Sequence, residues 1–339
     1  MSSVRTKTLR AGIIGLGVGE KHVAGYRAHP ACAVVAVCDK ASSKLSEVQA
    51  KYGIFKACSN PDQILEDPEI DIVSIASYDP DHYEQIVKAI QNEKHIFVEK
   101  PLCLYEQEAV HIRALLKSKP HLKMSTNFIL RKSPRFQGIR EKILNGFFGE
   151  LFYAEGDYHY GRLEKITEGW RGQIDFYSVV YGGSVHLVDL LLWLSGDTVE
   201  EVFAYGNQIA SRDSQFKYND CVAALLKFKS GMIGKITADF GSARPHFHSL
   251  NIYGTQATFV NDLPNGKLFT SRDPKQAPQD VTEPYPGIEK GDLIYRFVDS
   301  IANQSSPEVS QEDVFRAMSV CFAIETSVKE KKPVRVEYI

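Results

Sequence analysis

The chain has 339 residues, 43% of them hydrophobic and 24% charged, the proportions of a soluble globular protein too long for one ordinary core. Its formal net charge of -2 gives no electrostatic reason to expect a nucleic acid or a membrane surface as partner. No stretch approaches the roughly 18 apolar residues of a membrane span, and the polar, basic Met1 to Arg10 leads into a strand broken by glycines, unlike a signal peptide.

From Leu9 to about Thr126, short β-branched runs alternate with amphipathic stretches, which predicts a parallel sheet with crossover helices. The expected strands are Leu9 to Ile14, Ala33 to Cys38, Ile70 to Ala76, His95 to Val98 and Lys123 to Phe128; the helices between them include Lys44 to Tyr52, Asp81 to Asn92 and Leu104 to Ser118. After Phe128 a helix to about Asn145 precedes long antiparallel runs: Leu151 to Tyr160, Thr198 to Gln208, Cys221 to Phe228, Gly234 to Phe240 and Ser249 to Phe259. Turns at Lys229-Ser230-Gly231 and Tyr253-Gly254-Thr255 fit hairpins. Two late helices, Lys290 to Asn303 and Gln311 to Glu330, end in the strand-like Pro333 to Tyr338, and one of them is expected to pack back on the first domain. The fold class is thus α/β: a doubly wound parallel sheet over residues 1–128 and an α+β domain with an open, mainly antiparallel sheet over 129–339. An open sheet must hide the apolar residues of its outer face, and Val222, Ala224, Leu226 and Phe228 alternate on one strand, which predicts self-association.

The six cysteines lack Cys-x-x-Cys spacing and several sit in apolar runs, so buried thiols in a reducing, cytoplasmic compartment are expected in place of disulfides or zinc. His246-Phe247-His248 puts two imidazoles on one strand face, read as a surface pair, since the sequence offers no third metal ligand.

Gly15-Leu16-Gly17-Val18-Gly19 directly follows the first strand, where a dinucleotide site needs a helix N-terminus and glycines that let backbone approach a pyrophosphate. Asp39, ending the second strand, offers a carboxylate to both ribose hydroxyls. Against a 2'-phosphate at about 5 Å and an effective dielectric of about 20, it would cost on the order of 3 kcal/mol per unit charge, which favours NAD over NADP. Lys40 next door softens that preference. Glu99-Lys100-Pro101, after a buried-strand pattern, adds a cation able to handle a proton beside such a cofactor.

Together Gly15-x-Gly17-x-Gly19-x-x-His22, Asp39, Tyr78-Asp79-Pro80-Asp81-His82, Glu99-Lys100-Pro101, Gly183-x-x-His186-x-x-Asp189 and Tyr253-Gly254-Thr255 resemble the glucose-fructose oxidoreductase and inositol dehydrogenase family, often called Gfo/Idh/MocA. The resemblance spans nearly the whole chain. It implies a Rossmann domain, an open-faced C-terminal sheet, NAD or NADP, sugar or cyclitol substrates, and a homodimer or homotetramer. Pyrophosphate contacts carry over to Gly15 and Gly17 and ribose contacts to Asp39. Further cofactor contacts are expected at Leu16, Val18, Gly19, Lys40, Ser77, Tyr78, His82, Glu99, Lys100 and Asn127, with His186 as acid/base and Lys100 also on substrate. Two departures stand out: Glu20 follows a shortened glycine turn, and Gly182 replaces an aspartate that many relatives carry four residues before the histidine.

Removing hydride from a secondary alcohol requires a proton acceptor and a positive charge near the oxygen, roles open to His186 and Lys100. Residues 182, 186, 189 and 193 share one helical face, which points His186 and Asp189 the same way. Tyr158, Tyr160, Arg162, Trp170 and Arg171 supply rings for stacking on a sugar and guanidiniums for a carboxylate or phosphate, and with Lys100 and Asp189 they form the expected substrate set. The expected activity is NAD-dependent oxidation of a secondary hydroxyl of a sugar, cyclitol or nucleotide-linked sugar. Two rivals are an NAD-dependent glycosidase working by transient oxidation, which net NADH accumulation distinguishes, and a non-catalytic sugar sensor, which need not retain Lys100 and His186.

Overall fold

A computed structural model describes residues 8–339. Two compact units divide the chain. The first runs through Ile129 and takes in Ile288–Phe315 as well; the second holds Leu130–Gly287 and Arg316–Tyr338.

In the first unit β1 (Leu9–Ile14), α1 (Gly19–Arg27), β2 (Cys32–Cys38), α2 (Ser42–Tyr52), β3 (Lys56–Cys58), α3 (Asp62–Leu65), β4 (Ile72–Ile75), α4 (His82–Gln91), β5 (His95–Val98), α5 (Glu106–Ser118) and β6 (Met124–Thr126) follow one another. The six strands are all parallel, in the order β3-β2-β1-β4-β5-β6. That order reverses between β1 and β4, so the crevice of a doubly wound sheet opens at their C-terminal ends. Apolar runs such as Ile72–Ile75 are buried on both faces, as a sheet covered by helices requires. The edge strand β3 goes unread in the sequence because Lys56-Ala57-Cys58 is too short to show a period.

The second unit begins with α6 (Pro134–Leu144), β7 (Leu151–His159), α7 (Glu164–Thr167), α8 (Val185–Ser195), β8 (Val199–Asn207), β9 (Cys221–Phe228) and β10 (Ile233–Asp239). β11 (Phe247–Gly254), β12 (Thr258–Val260), β13 (Gly266–Phe269) and β14 (Gln279–Val281) follow. After α9 (Asp292–Ala302) of the first unit and α10 (Gln311–Glu330), β15 (Val334–Arg335) completes a nine-stranded sheet, β14-β13-β12-β11-β7-β10-β9-β8-β15. All its pairings are antiparallel except β7 with β10. The run Ser249 to Phe259 is a hairpin of β11 and β12, with its turn where Tyr253-Gly254-Thr255 is expected to turn, closed by Gly254 N–H on Ala257 O; a Cβ at Gly254 would stand 2.1 Å from Phe148 O.

The sequence assigns the wrong side to Val222, Ala224, Leu226 and Phe228. All four are buried, and the exposed positions of β9 are Ala223, Leu225 and Lys227. Alternation fixes which residues share a face but not which face meets the helices.

Candidate cofactor and active site

In the first unit each glycine of the turn has its own reason. Gly15 has φ +84°, and a Cβ there would stand 2.3 Å from Ala76 O, so the tight strand-to-helix turn requires it. Gly19 opens α1, with its hypothetical Cβ 3.0 Å from Ile13 Cγ2, and so allows close helix–strand packing despite the shortened spacing. A Cβ at Gly17 would meet no protein atom within 4 Å, and its φ is not in the left-handed range. Nothing in the protein demands a glycine there, whereas a pyrophosphate approaching the backbone does.

The amides separate in the same way. Gly15 N–H donates to Cys38 O at 2.8 Å and Leu16 N–H to Asp39 Oδ2 at 2.6 Å. The expected pyrophosphate contact through Gly15 and the contact at Leu16 are thereby corrected, because both amides are spent inside the protein; the Leu16 side chain is also fully buried. Among the described residues the Gly17 and Val18 amides donate to no protein acceptor, and they lead into the N-terminus of α1. The turn therefore fits a dinucleotide through Gly17, Val18 and Gly19. Asp39 Oδ1 accepts Ala41 N–H at 2.8 Å, so one carboxylate pins the glycine turn and its own turn at the ribose end. Lys40 reaches Asp81 at 3.4 Å on the surface.

Beyond β4, Tyr78 is exposed and Ser77 Oγ donates to Gln85 Oε1 at 2.9 Å. His82 does not reach a cofactor. It is fully buried, with Nδ1 2.7 Å from Pro101 O and Nε2 3.3 Å from Ser77 O, and so ties the loop after β4 to the loop after β5.

Lys100 lies just past β5, half-buried. Its neighbour Glu99 is buried: Oε1 stands 3.2 Å from His22 Nε2 and accepts Asn127 Nδ2 at 2.8 Å. Burial by itself would raise the Glu99 carboxyl, but the His22 hydrogen bond, the Lys290 charge and the Asn127 amide outweigh it and hold it well below the usual carboxylate range. Ser74 Oγ, 2.9 Å from His22 Nδ1, orients that ring. Asn127 is fully buried and also donates to Lys290 O at 3.0 Å, so it clamps this network. Lys290 carries no local sequence signal for this role, because it arrives 163 residues after Asn127.

In the second unit, β7 turns Tyr158 inward and Glu155, Asp157 and His159 outward. Gly156 lets α8 come close: a Cβ there would lie 3.3 Å from Leu187. This places His186 over Tyr158, with rings stacked at 6.4 Å and 22°, and His248 at its edge, 6.4 Å and 88°. The expected surface pair is thus corrected: His248 is buried, with its N–H and Nδ1 2.9 and 2.7 Å from Tyr285 Oη, while His246 is exposed. Among the described residues no cluster suits a metal ion.

Asp189 does not face substrate. It is buried and receives a bidentate fork from Arg131, Nε to Oδ2 at 2.9 Å and Nη2 to Oδ1 at 2.5 Å. The common helical face expected for 182 and 186 also fails, because Val180–Ser184 forms a π-turn ahead of α8. At Gly182 a Cβ would stand 2.0 Å from the Tyr177 hydroxyl. A buried phenol therefore fills the space into which a longer side chain at 182 would project.

Tyr160 is buried with its ring 4.4 Å from Phe240 and tilted by 33°; Arg162 lies over it at 4.6 Å. Arg171 lies over Trp170 at 4.6 Å.

A parallel six-stranded sheet with an amide-lined glycine turn at its switch point defines a dinucleotide-binding Rossmann unit, here followed by a unit that sets an imidazole on an aromatic floor. The family model described as the Gfo/Idh/MocA oxidoreductase family with an NAD-binding Rossmann fold matches residues 9–128, and that of the Gfo/Idh/MocA C-terminal domain matches 136–260. The chain belongs to this family of NAD-dependent oxidoreductases. It is 26% identical to myo-inositol 2-dehydrogenase of Thermotoga maritima, over 98% of this chain and 99% of that one. It is 29% identical to D-glucoside 3-dehydrogenase of Escherichia coli, over 77% and 73%. A solved levoglucosan dehydrogenase in complex with NADH shares the fold at a TM-score of 0.87 and 23% identity, over 98% of this chain and all of that one.

Proposed function

We propose that the chain is an NAD-dependent dehydrogenase that oxidises a secondary hydroxyl of a sugar, a cyclitol or a nucleotide-linked sugar. The observation that carries this reading is His186, set near-parallel to the buried ring of Tyr158 with His248 at its edge: an imidazole able to act as base, positioned by an aromatic cluster. The names of the inositol and glucoside dehydrogenase relatives point to the same substrates.

Bound NAD supplies the hydride acceptor. The carbinol carbon gives up its hydrogen with both bonding electrons and the hydroxyl gives up its proton, leaving a ketone, the reduced cofactor and one proton. His186 takes that proton, and Lys100 holds positive charge against the oxygen as the carbonyl forms. Glu99, fixed by His22 and Asn127, keeps the Lys100 segment in register. Asp39 would hold the adenosine ribose and disfavour a 2'-phosphate, and Gly17 to Gly19 would hold the pyrophosphate.

Steady-state NADH formation tests the assignment. His186→Ala should lower kcat by about a hundredfold to ten-thousandfold with NAD affinity nearly intact, and Lys100→Met by as much or more. Wild-type turnover in His186→Ala would overturn it.

The open sheet supports self-association as a homodimer or homotetramer, now through the outer face bearing Leu225, Ile233 and Tyr205, all exposed. A monomer in sedimentation at micromolar concentration would sink this. Six free cysteines, five of them buried, suit a reducing compartment such as the cytoplasm, and among the described residues no helix is long and apolar enough to cross a membrane.

A further inference from the structure

The geometry points to an anionic substrate: Arg162 and Arg171 form a fork for a carboxylate or phosphate group on the molecule whose hydroxyl His186 deprotonates. This inference rests on the dehydrogenase reading and narrows its substrate class.

Both guanidiniums stand on one continuous aromatic platform. Arg162 lies over Tyr160, and Arg171 lies over Trp170 with Tyr177 at 5.9 Å. Tyr160 and Tyr177 both abut Phe240, at 4.4 and 6.3 Å, and Phe240 stacks on Tyr158 at 5.7 Å, the ring beneath His186. Stacking holds a guanidinium by its face and leaves its N–H edge directed outward in the ring plane, the geometry that takes two oxygens of one anion. Arg162 is exposed on this platform and Arg171 half-buried. Arg162 has no carboxylate within ion-pair distance among the described residues; its Nε makes only a 3.4 Å contact to Tyr160 O. Both cations act on the Tyr158 hydroxyl. Burial raises the Tyr158 phenol and the Tyr160 hydroxyl adds to the rise, while Arg162 and Arg171 both pull it the other way. Two positive charges on the aromatic cluster that also carries His186 are poorly matched to a neutral polyol and well matched to an acid sugar.

The experiment is a calorimetric titration of the protein preloaded with NADH, so that binding is read without turnover. The probes are glucuronate, galacturonate, glucose 6-phosphate, glucose and myo-inositol. At least one anion should bind tenfold or more tighter than either neutral probe. A uronate preference identifies a carboxylate, and a preference for the sugar phosphate a phosphate. Arg162→Met and Arg171→Met should each lose about tenfold to hundredfold for that anion while changing neutral binding far less. Arg162→Lys, which keeps the charge and loses the fork, should fall between. Neutral probes binding as tightly as every anion, saturable binding by no anion, or anion binding indifferent to both Met variants would each overturn the inference. NAD reduction is measured in parallel with all five probes. Neutral-sugar oxidation without anion preference removes this inference alone, whereas NADH binding without oxidation of any probe counts against the dehydrogenase reading.

Discussion

Arg131 and Asp189 set the stability of the helix that carries His186, and breaking the pair is the most quantitative test of the structure. Their side chains are 3% and 2% exposed and joined by two charge-assisted bonds, so Arg131→Met strands a carboxylate inside α8, one turn beyond His186. Removing one partner of a buried pair typically costs about 3–5 kcal/mol, because the surviving charge remains desolvated. For a unit of this size about 2–4 °C is lost per kcal/mol, so Tm should fall by roughly 6–20 °C. Asp189→Leu in the same chain should recover most of that loss, since replacing both charges by apolar groups removes the desolvation penalty. Urea and thermal unfolding of the wild type, both single variants and the double variant give the coupling directly. An Arg131→Met protein within about 1 kcal/mol of wild type, or a double variant less stable than either single one, would refute the reasoning.

Gly15→Ala should destabilise the first unit by at least about 2 kcal/mol in urea, through its left-handed backbone and the 2.3 Å approach to Ala76 O. Gly17→Ala should leave unfolding within about 0.5 kcal/mol of wild type yet weaken NADH about tenfold or more by fluorescence titration, since only a ligand occupies that space. Gly182→Asp should destabilise the second unit by its clash with the Tyr177 hydroxyl, and Tyr177→Ala in the same chain should lose less than the sum of the two single changes; strict additivity counts against the contact. Glu20 binds Lys44 and Lys51, both at 2.6 Å, and these bonds lower its carboxyl to about 2 from an ordinary 4.5. A lowered folded value stabilises above the unfolded one, so the advantage of wild type over Glu20→Gln should be full above about pH 4.5 and vanish toward pH 2 in acid unfolding curves.

Periodicity and punctuation, which are local, let the sequence by itself determine the alternation of strands and helices in the first unit, several element bounds to the residue, and the glycine turn with Asp39 after it. β1, β5, β9 and α10 match to the residue because apolar pattern, flanking glycine or proline, and length agree there. His186 and Lys100 were legible as residue types in a known order, and the rings of 158 and 160 as an alternating strand. Tertiary structure decided what no local pattern encodes: which face of β9 is outside, that Gly15 and Leu16 spend their amides within the protein, and that His82 is a tie between loops. It also turned Asp189 from a presumed neighbour of substrate into the partner of Arg131, and brought Lys290 to Glu99 and His248 to His186. Each of these depends on groups far apart in sequence competing for the same hydrogen bond or the same space, and that competition is resolved only when the chain is packed.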